Sequence, residues 1–312
     1  MRAGTLIGQR LDLERKALTG DPVTLADPVA FDTNSGTVSV SAAGLVAYRA
    51  GGAKRRQLAW FDRSGKALGP MGVPDENNLY IPRVSPDGRR AAVNRTVQGN
   101  ADIWLLAGTR TSRFTFDAAP DRNPIWSPDG GRIVFDSDRK GHRDLYQKSS
   151  SGARAEELLV ESTQNKVTSD WSADTRFILY HSIDPQTDWD LWVLPMSGAN
   201  ASPARSASGT ARSLNDGRSQ REDDGDRKPW VFLKTSFDER DGQFSPDGRW
   251  VAYMSNESGR MEIYIRPFAA PARSGAAASP AAGQWQVSTV AASIRGGVPT
   301  ARSCTTSGPM AR

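Results

Sequence analysis

The chain has 312 residues, with 40 basic and 35 acidic side chains for a net charge of +5, and only 38% of its residues are hydrophobic. Its apolar runs, such as Ile178-Leu179-Tyr180, fall far short of the ~20 residues a membrane-spanning helix needs. The single Cys304 excludes an internal disulfide framework and a thiolate metal cluster, and two histidines, His142 in a loop and His181 at a strand end, read as surface residues and leave little for zinc or acid–base chemistry.

Met1-Arg2-Ala3-Gly4 leads into no apolar run, so no signal peptide is expected there. Residues 5–11 and 22–26 read as the outer two strands of a sheet whose inner pair is missing, so the chain is expected to begin mid-domain. Residues 38–41, 45–48 and 57–62 read as three further strands, joined by turns at 42–44 and near 63–66.

A repeat then takes over. Val84-Ser85-Pro86-Asp87-Gly88-Arg89, Trp126-Ser127-Pro128-Asp129-Gly130, Trp171-Ser172-Ala173-Asp174-Thr175-Arg176 and Phe244-Ser245-Pro246-Asp247-Gly248-Arg249 are versions of one motif. Each precedes a strand-like run, then a polar loop, then an acid two residues ahead of an aromatic: Asp102 and Trp104, Asp144 and Tyr146, Asp190 and Trp192, Glu262 and Tyr264. Turn aspartate and aromatic stand 17, 17, 18 and 17 residues apart. In Ser-Pro-Asp-Gly, proline pre-sets φ at the first turn position, aspartate tolerates the second, and glycine takes the left-handed position that follows. The motif therefore predicts a hairpin between two strands. Thr175 in place of glycine predicts a more strained turn, or one of another type. Trp126, Trp171 and Phe244, just ahead of their turns, are expected to pack between neighbouring sheets.

Successive turn aspartates lie 42 and 45 residues apart, and then 73. Omitting 199–225, a stretch of Ala, Ser, Arg, Asn and Asp with Leu214 as its one large apolar residue, restores a spacing of 46. That stretch is expected to be a disordered insertion, and 269–283 a linker-like loop. A period of ~40–45 with several short strands predicts an all-β fold, a β-propeller of four-stranded antiparallel blades over residues 1–290. About five blades are recognisable, with partial blades at both ends. Residues 291–312 lack a strand pattern and are expected to be disordered. For one choice of synonymous codons, a shifted frame across 293–311 spells HPRWRADGKELYYIGPDG. That string holds the Trp, Asp-Gly turn and strand due next, so the tail is expected to be out of frame.

These strings resemble the TolB-like, WD-type propeller repeats of bacteria. Over about residues 4–285 they also resemble the C-terminal propeller of bacterial receptor-like serine/threonine protein kinases. The resemblance is carried by Gly4-Thr5-Leu6-Ile7, Gln57-Leu58-Ala59-Trp60-Phe61-Asp62-Arg63-Ser64-Gly65-Lys66, Asp102-Ile103-Trp104-Leu105, Arg113-Phe114-Thr115 and Asp144-Leu145-Tyr146-Gln147-Lys148. It implies an extracytoplasmic propeller placed after a kinase domain and a transmembrane helix. No kinase motif occurs here, so kinase activity does not carry over.

Asp87, Asp129, Asp174 and Asp247 recur as a Ca²⁺-ligand array would, but each is expected to cap its own turn. No Gly-x-Ser-x-Gly elbow occurs, and Ser, His and acid show no sign of converging. No catalytic, cofactor or metal site is expected, and the excess positive charge in low-complexity stretches does not predict nucleic-acid binding. Three functions stay open. One is a sensing or protein-interaction module with a protein or peptide ligand. The others are the gating propeller of a prolyl-oligopeptidase-like peptidase and a TolB-like envelope scaffold.

Overall fold

A computed structural model describes residues 5–27, 29, 38–40, 46–49, 56–62, 64–196, 227–270, 283–288 and, as backbone, 304–305. The polar stretch 199–225, most of the loop 269–283 and the tail from 291, apart from that backbone pair, lie outside the described residues.

All regular structure among the described residues is β. The hairpin β1 (Leu6–Asp12) and β2 (Ala17–Ala26) opens the chain. Five four-stranded antiparallel sheets follow, each laid down in simple chain order. The first holds β3 (Val38–Val40), β4 (Val46–Arg49), β5 (Arg56–Phe61) and β6 (Ala67–Asp75). The second holds β7 (Asn78–Val84), β8 (Ala91–Val97), β9 (Asn100–Ala107) and β10 (Arg110–Arg113). In the third are β11 (Asp121–Trp126), β12 (Arg132–Ser137), β13 (Asp144–Ser149) and β14 (Glu157–Val160). The fourth comprises β15 (Lys166–Trp171), β16 (Phe177–Asp184), β17 (Asp188–Pro195) and β18 (Trp230–Leu233). The fifth comprises β19 (Glu239–Phe244), β20 (Trp250–Ser255), β21 (Glu262–Pro267) and β22 (Trp285–Gln286). β17 pairs with β18 across the polar stretch, Trp192 facing Val231, as the restored repeat spacing requires.

The first strand of each sheet lies against the first strand of the next, so β3, β7, β11, β15 and β19 line the axis. Core side chains fill the gaps between sheets. Trp126 packs with Ala92, Ile103 and Phe114 of the second sheet, Trp171 with Ile125, Val134 and Leu145 of the third, and Phe244 with Phe177, Leu179 and Leu191 of the fourth. All three rings are buried. Polar links cross the same gaps. The Trp126 indole N–H donates to the Arg83 carbonyl (2.9 Å), and the Phe244 N–H to Asp170 Oδ2 (2.8 Å). The Arg90 guanidinium lies 4.7 Å above the Trp126 ring and that of Arg132 5.2 Å above Trp171.

Strands from the two ends of the chain meet in one sheet. The backbone of β23 (Cys304–Thr305) pairs with β1, giving the order β2-β1-β23. Leu6, Ala26 and Val29 pack against Val38 and Val46 of the first sheet, and Lys16 Nζ sits 3.3 Å over the Trp285 ring of the fifth. The sixth sheet thus touches both the first and the fifth.

Axis-lining strands carry a bulge that the sequence reading missed. Pairing shifts register between Tyr80 and Arg83, Arg122 and Ile125, Thr168 and Asp170, and Arg240 and Gln243. In three of the four, a residue six positions ahead of the turn aspartate is left-handed: Ile81, Asn123 and Asp241, at φ 50–53°. Pro82 and Pro124 follow directly, where a missing N–H costs no ladder bond. Gly242 stands at the same place in the fifth sheet because a Cβ there would lie 2.5 Å from Leu179 Cδ2.

Candidate functional site

The four turn motifs are built alike. Each serine N–H donates to the carbonyl five residues on, at Arg90, Arg132, Phe177 and Trp250 (2.8–2.9 Å), and its hydroxyl accepts from the N–H of that same residue. Ser85, Ser127, Ser172 and Ser245 in turn donate their hydroxyl protons to Oδ1 of Asp87, Asp129, Asp174 and Asp247 (2.5–2.6 Å). The same Oδ1 atoms accept the N–H groups of Arg89, Gly131, Arg176 and Arg249. The serine hydroxyls hold the Asp87 and Asp129 carboxyls below the usual range. At Asp247 burial opposes this, yet the bonds from Ser245 and Arg249 prevail. Gly88, Gly130 and Gly248 close the turns at φ 67–70°, and Thr175 closes the third at 65°. The Thr175 turn is therefore of the same type as the others. These carboxylates serve their own hairpins, one per sheet. Among the described residues no three His, Cys, Asp or Glu side chains gather as a metal-binding set.

The acids ahead of the second aromatic lie near the start of each sheet's third strand, all buried. Asp102 pairs with Arg113 (2.8 Å), Asp144 with Lys166 (2.7 Å), Asp190 with Lys234 (3.5 Å) and Glu262 with Arg260 (2.7 Å). Lys166 and Asp144 are 2% and 1% exposed, a fully interior ion pair that also receives the Ser162 N–H. Of the aromatics, Tyr146 and Tyr264 are buried, and Trp104 and Trp192 are half-buried. The sequence motif thus marks scaffold.

Chemistry facing solvent lies at the end of the sheets opposite the four turns. Loops that enter the first strands and join the second to the third converge there. They enclose a cleft of about 610 Å³ spanning the third, fourth and fifth sheets, from His142 to Asn256. Its walls are residues 163–165, 183–188 and 236–238. Phe237, 39% exposed, gives the cleft an aromatic surface, and Ile183 and Pro185 add apolar ones. Asp184, Asp188 and Asp238 give it negative charge. The Asp184 carboxyl is lowered by the Lys234 ammonium, 2.5 Å away, and by the Gln186 N–H. Burial raises Asp238 despite its ion pair with Arg240. Behind the wall, burial and the nearby Asp190 push Glu239 up to about 7. Burial also raises Asp190 itself, although Thr187 Oγ1 donates to it (2.8 Å).

None of these cleft residues stands out in the sequence, where His142 reads only as a surface loop histidine. The available signal was a Phe-Asp pair in a polar loop, Phe116-Asp117 and Phe237-Asp238, on corresponding loops ahead of the third and fifth sheets. His181, by contrast, is buried, 3.0 Å from Ser169 Oγ and edge-on to Trp189. The expectation of a surface histidine there is corrected: β16 turns the ring into the gap facing β15.

Residues 74–202 match the family model described as the TolB beta propeller domain, PD40. The uncharacterized peptidase YuxL of Bacillus subtilis (strain 168) is 30% identical over 200 residues, 56% of this chain but only 29% of that relative. A TolB-type protein of Agrobacterium tumefaciens superposes with a TM-score of 0.64 at 13% identity, covering 97% of both chains. TolB of Acinetobacter baumannii does so with a TM-score of 0.59 at 20% identity, covering 85% of this chain and 61% of its own. With the PD40 match and the sheets described above, these likenesses establish the fold as a TolB-like β-propeller of antiparallel four-stranded blades.

Proposed function

We propose that the chain is a non-catalytic binding module, and that its loop face takes a protein or peptide segment in the cleft between the third, fourth and fifth blades. The observation that carries this reading is the cleft itself. It combines an exposed aromatic, apolar residues and carboxylates on loops held by rigid sheets, the usual place for recognition. The kinase-type strings named above support a place beside a receptor-like serine/threonine kinase, as the extracytoplasmic sensing part.

A display screen of random peptides against the chain, with hits re-measured against Phe237→Ser, tests the binding role. Hits are expected to bind the parent chain and to lose at least about ten-fold in affinity on Phe237→Ser. Equal binding by the variant, or no hit at all, would sink this reading.

A second reading has support in the match to YuxL: the propeller half of a larger peptidase, where it would gate a hydrolase domain. The adjoining coding sequence separates the two, kinase motifs upstream favouring the first and a Gly-x-Ser-x-Gly elbow downstream the second.

A further inference from the structure

We infer that the cleft selects a segment carrying an ammonium or guanidinium group, that is, a cationic peptide. The inference rests on the peptide-binding reading and adds the charge of the occupant.

Three carboxylates, Asp184, Asp188 and Asp238, reach the lining, which holds no lysine or arginine. Two more, Asp190 and Glu239, stand directly behind it, each 1% exposed. Thr187 of the lining donates to Asp190, and Glu239 follows Asp238 in the chain. Against these five stand Lys234 and Arg240, each paired within the group, while Lys166 behind the wall is taken up by Asp144 and the Gln164 carbonyl. Asp190 Oδ1 and Glu239 Oε2 have no hydrogen-bond partner, an uncommon state for a buried acceptor. The protein already places one ammonium group here. Lys234 Nζ sits between Asp184 (2.5 Å) and Asp190 (3.5 Å) and leaves the exposed Asp188 of the lining without a cation. A second cation entering the cleft would meet the remaining charge at short range, where low-dielectric walls strengthen attraction. Phe237 at the rim offers a face on which an aromatic or guanidinium group of the same segment can rest.

The test uses fluorescein-labelled Gly-Lys-Phe-Lys-Gly, Gly-Gln-Phe-Gln-Gly and Gly-Glu-Phe-Glu-Gly, titrated with the full chain by fluorescence polarisation. Asp188→Lys is the variant: Asp188 is exposed, and because its backbone is left-handed (φ 69°) the variant's thermal melt is read beside the parent's. The lysine peptide is expected to bind at least about ten-fold more tightly than the glutamate peptide, an order that Asp188→Lys narrows or inverts. The preference is also expected to weaken as salt rises. If all three peptides bind alike and Phe237→Ser abolishes binding, the charge inference falls while the peptide-binding reading stands. If none binds, both fall. A lysine preference unchanged in Asp188→Lys places the cation elsewhere and overturns the assignment to this cleft.

Discussion

Thr175 holds the left-handed corner that glycine holds in the other three turns. A β-branched residue there is strained by about 1–2 kcal/mol, part of which glycine would return as extra freedom in the unfolded chain. Thr175→Gly is therefore expected to stabilise the protein by about 0.5–1 kcal/mol, read as a higher urea midpoint with an unchanged slope. A lower midpoint would show that the threonine side chain contributes more than its backbone strain costs. Turn chemistry at this scale is legible in sequence because it is local: serine, aspartate and glycine satisfy one another within six residues. The ion pair of Asp144 with Lys166 is not, since it joins residues 22 apart in the chain that only folding brings together. The repeated acid two residues ahead of the aromatic was visible, but the cation that pairs with it was not.

Strand order and hairpins followed from the repeat, and the aromatics ahead of the turns do fill the gaps between sheets. Trp126 illustrates what one such ring does. It packs against the second sheet, gives its indole N–H to the Arg83 carbonyl and carries the Arg90 guanidinium on its face. Trp126→Ala should then cost about 3–5 kcal/mol, measured by denaturant unfolding. A loss below about 1 kcal/mol would mean that the neighbouring sheets close over the cavity. The bulges in the axis-lining strands escaped the sequence reading for a physical reason. A bulge alters register without altering composition, and left-handed Ile81 is held by its surroundings against its own preference. Equal spacing of Pro82 and Pro124 ahead of their turns was the only trace.

At the scale of the whole molecule, buried carboxylates link stability to pH. Asp136 is fully buried, its Oδ1 held by Asn123 Nδ2 (2.8 Å), and burial pushes it up to about 7. A carboxyl raised in the folded state favours folding while protonated, and that contribution is lost as pH rises through its folded value. Asp136→Asn should match the parent chain only near pH 4, gain on it as pH rises from 4 to 7, and exceed it above pH 7 by an amount on the order of 4 kcal/mol. Thermal melts across that range check it, and a gap independent of pH would rule it out. The cleft, too, belongs to this scale. Its residues run from 142 to 256 and share no motif, so nothing local could assemble them on paper. The joints between blades are directional: the arginine three residues after a turn aspartate reaches forward to the tryptophan of the next repeat, Arg90 to Trp126 and Arg132 to Trp171. A unit that carries both the reaching group and the receiving ring fits beside a copy of itself. Tandem duplication of the third repeat, which carries both Trp126 and Arg132, would therefore give a working joint at once, whereas the fourth repeat has Phe177 where the arginine would stand and Phe244 packs against that ring's sheet instead.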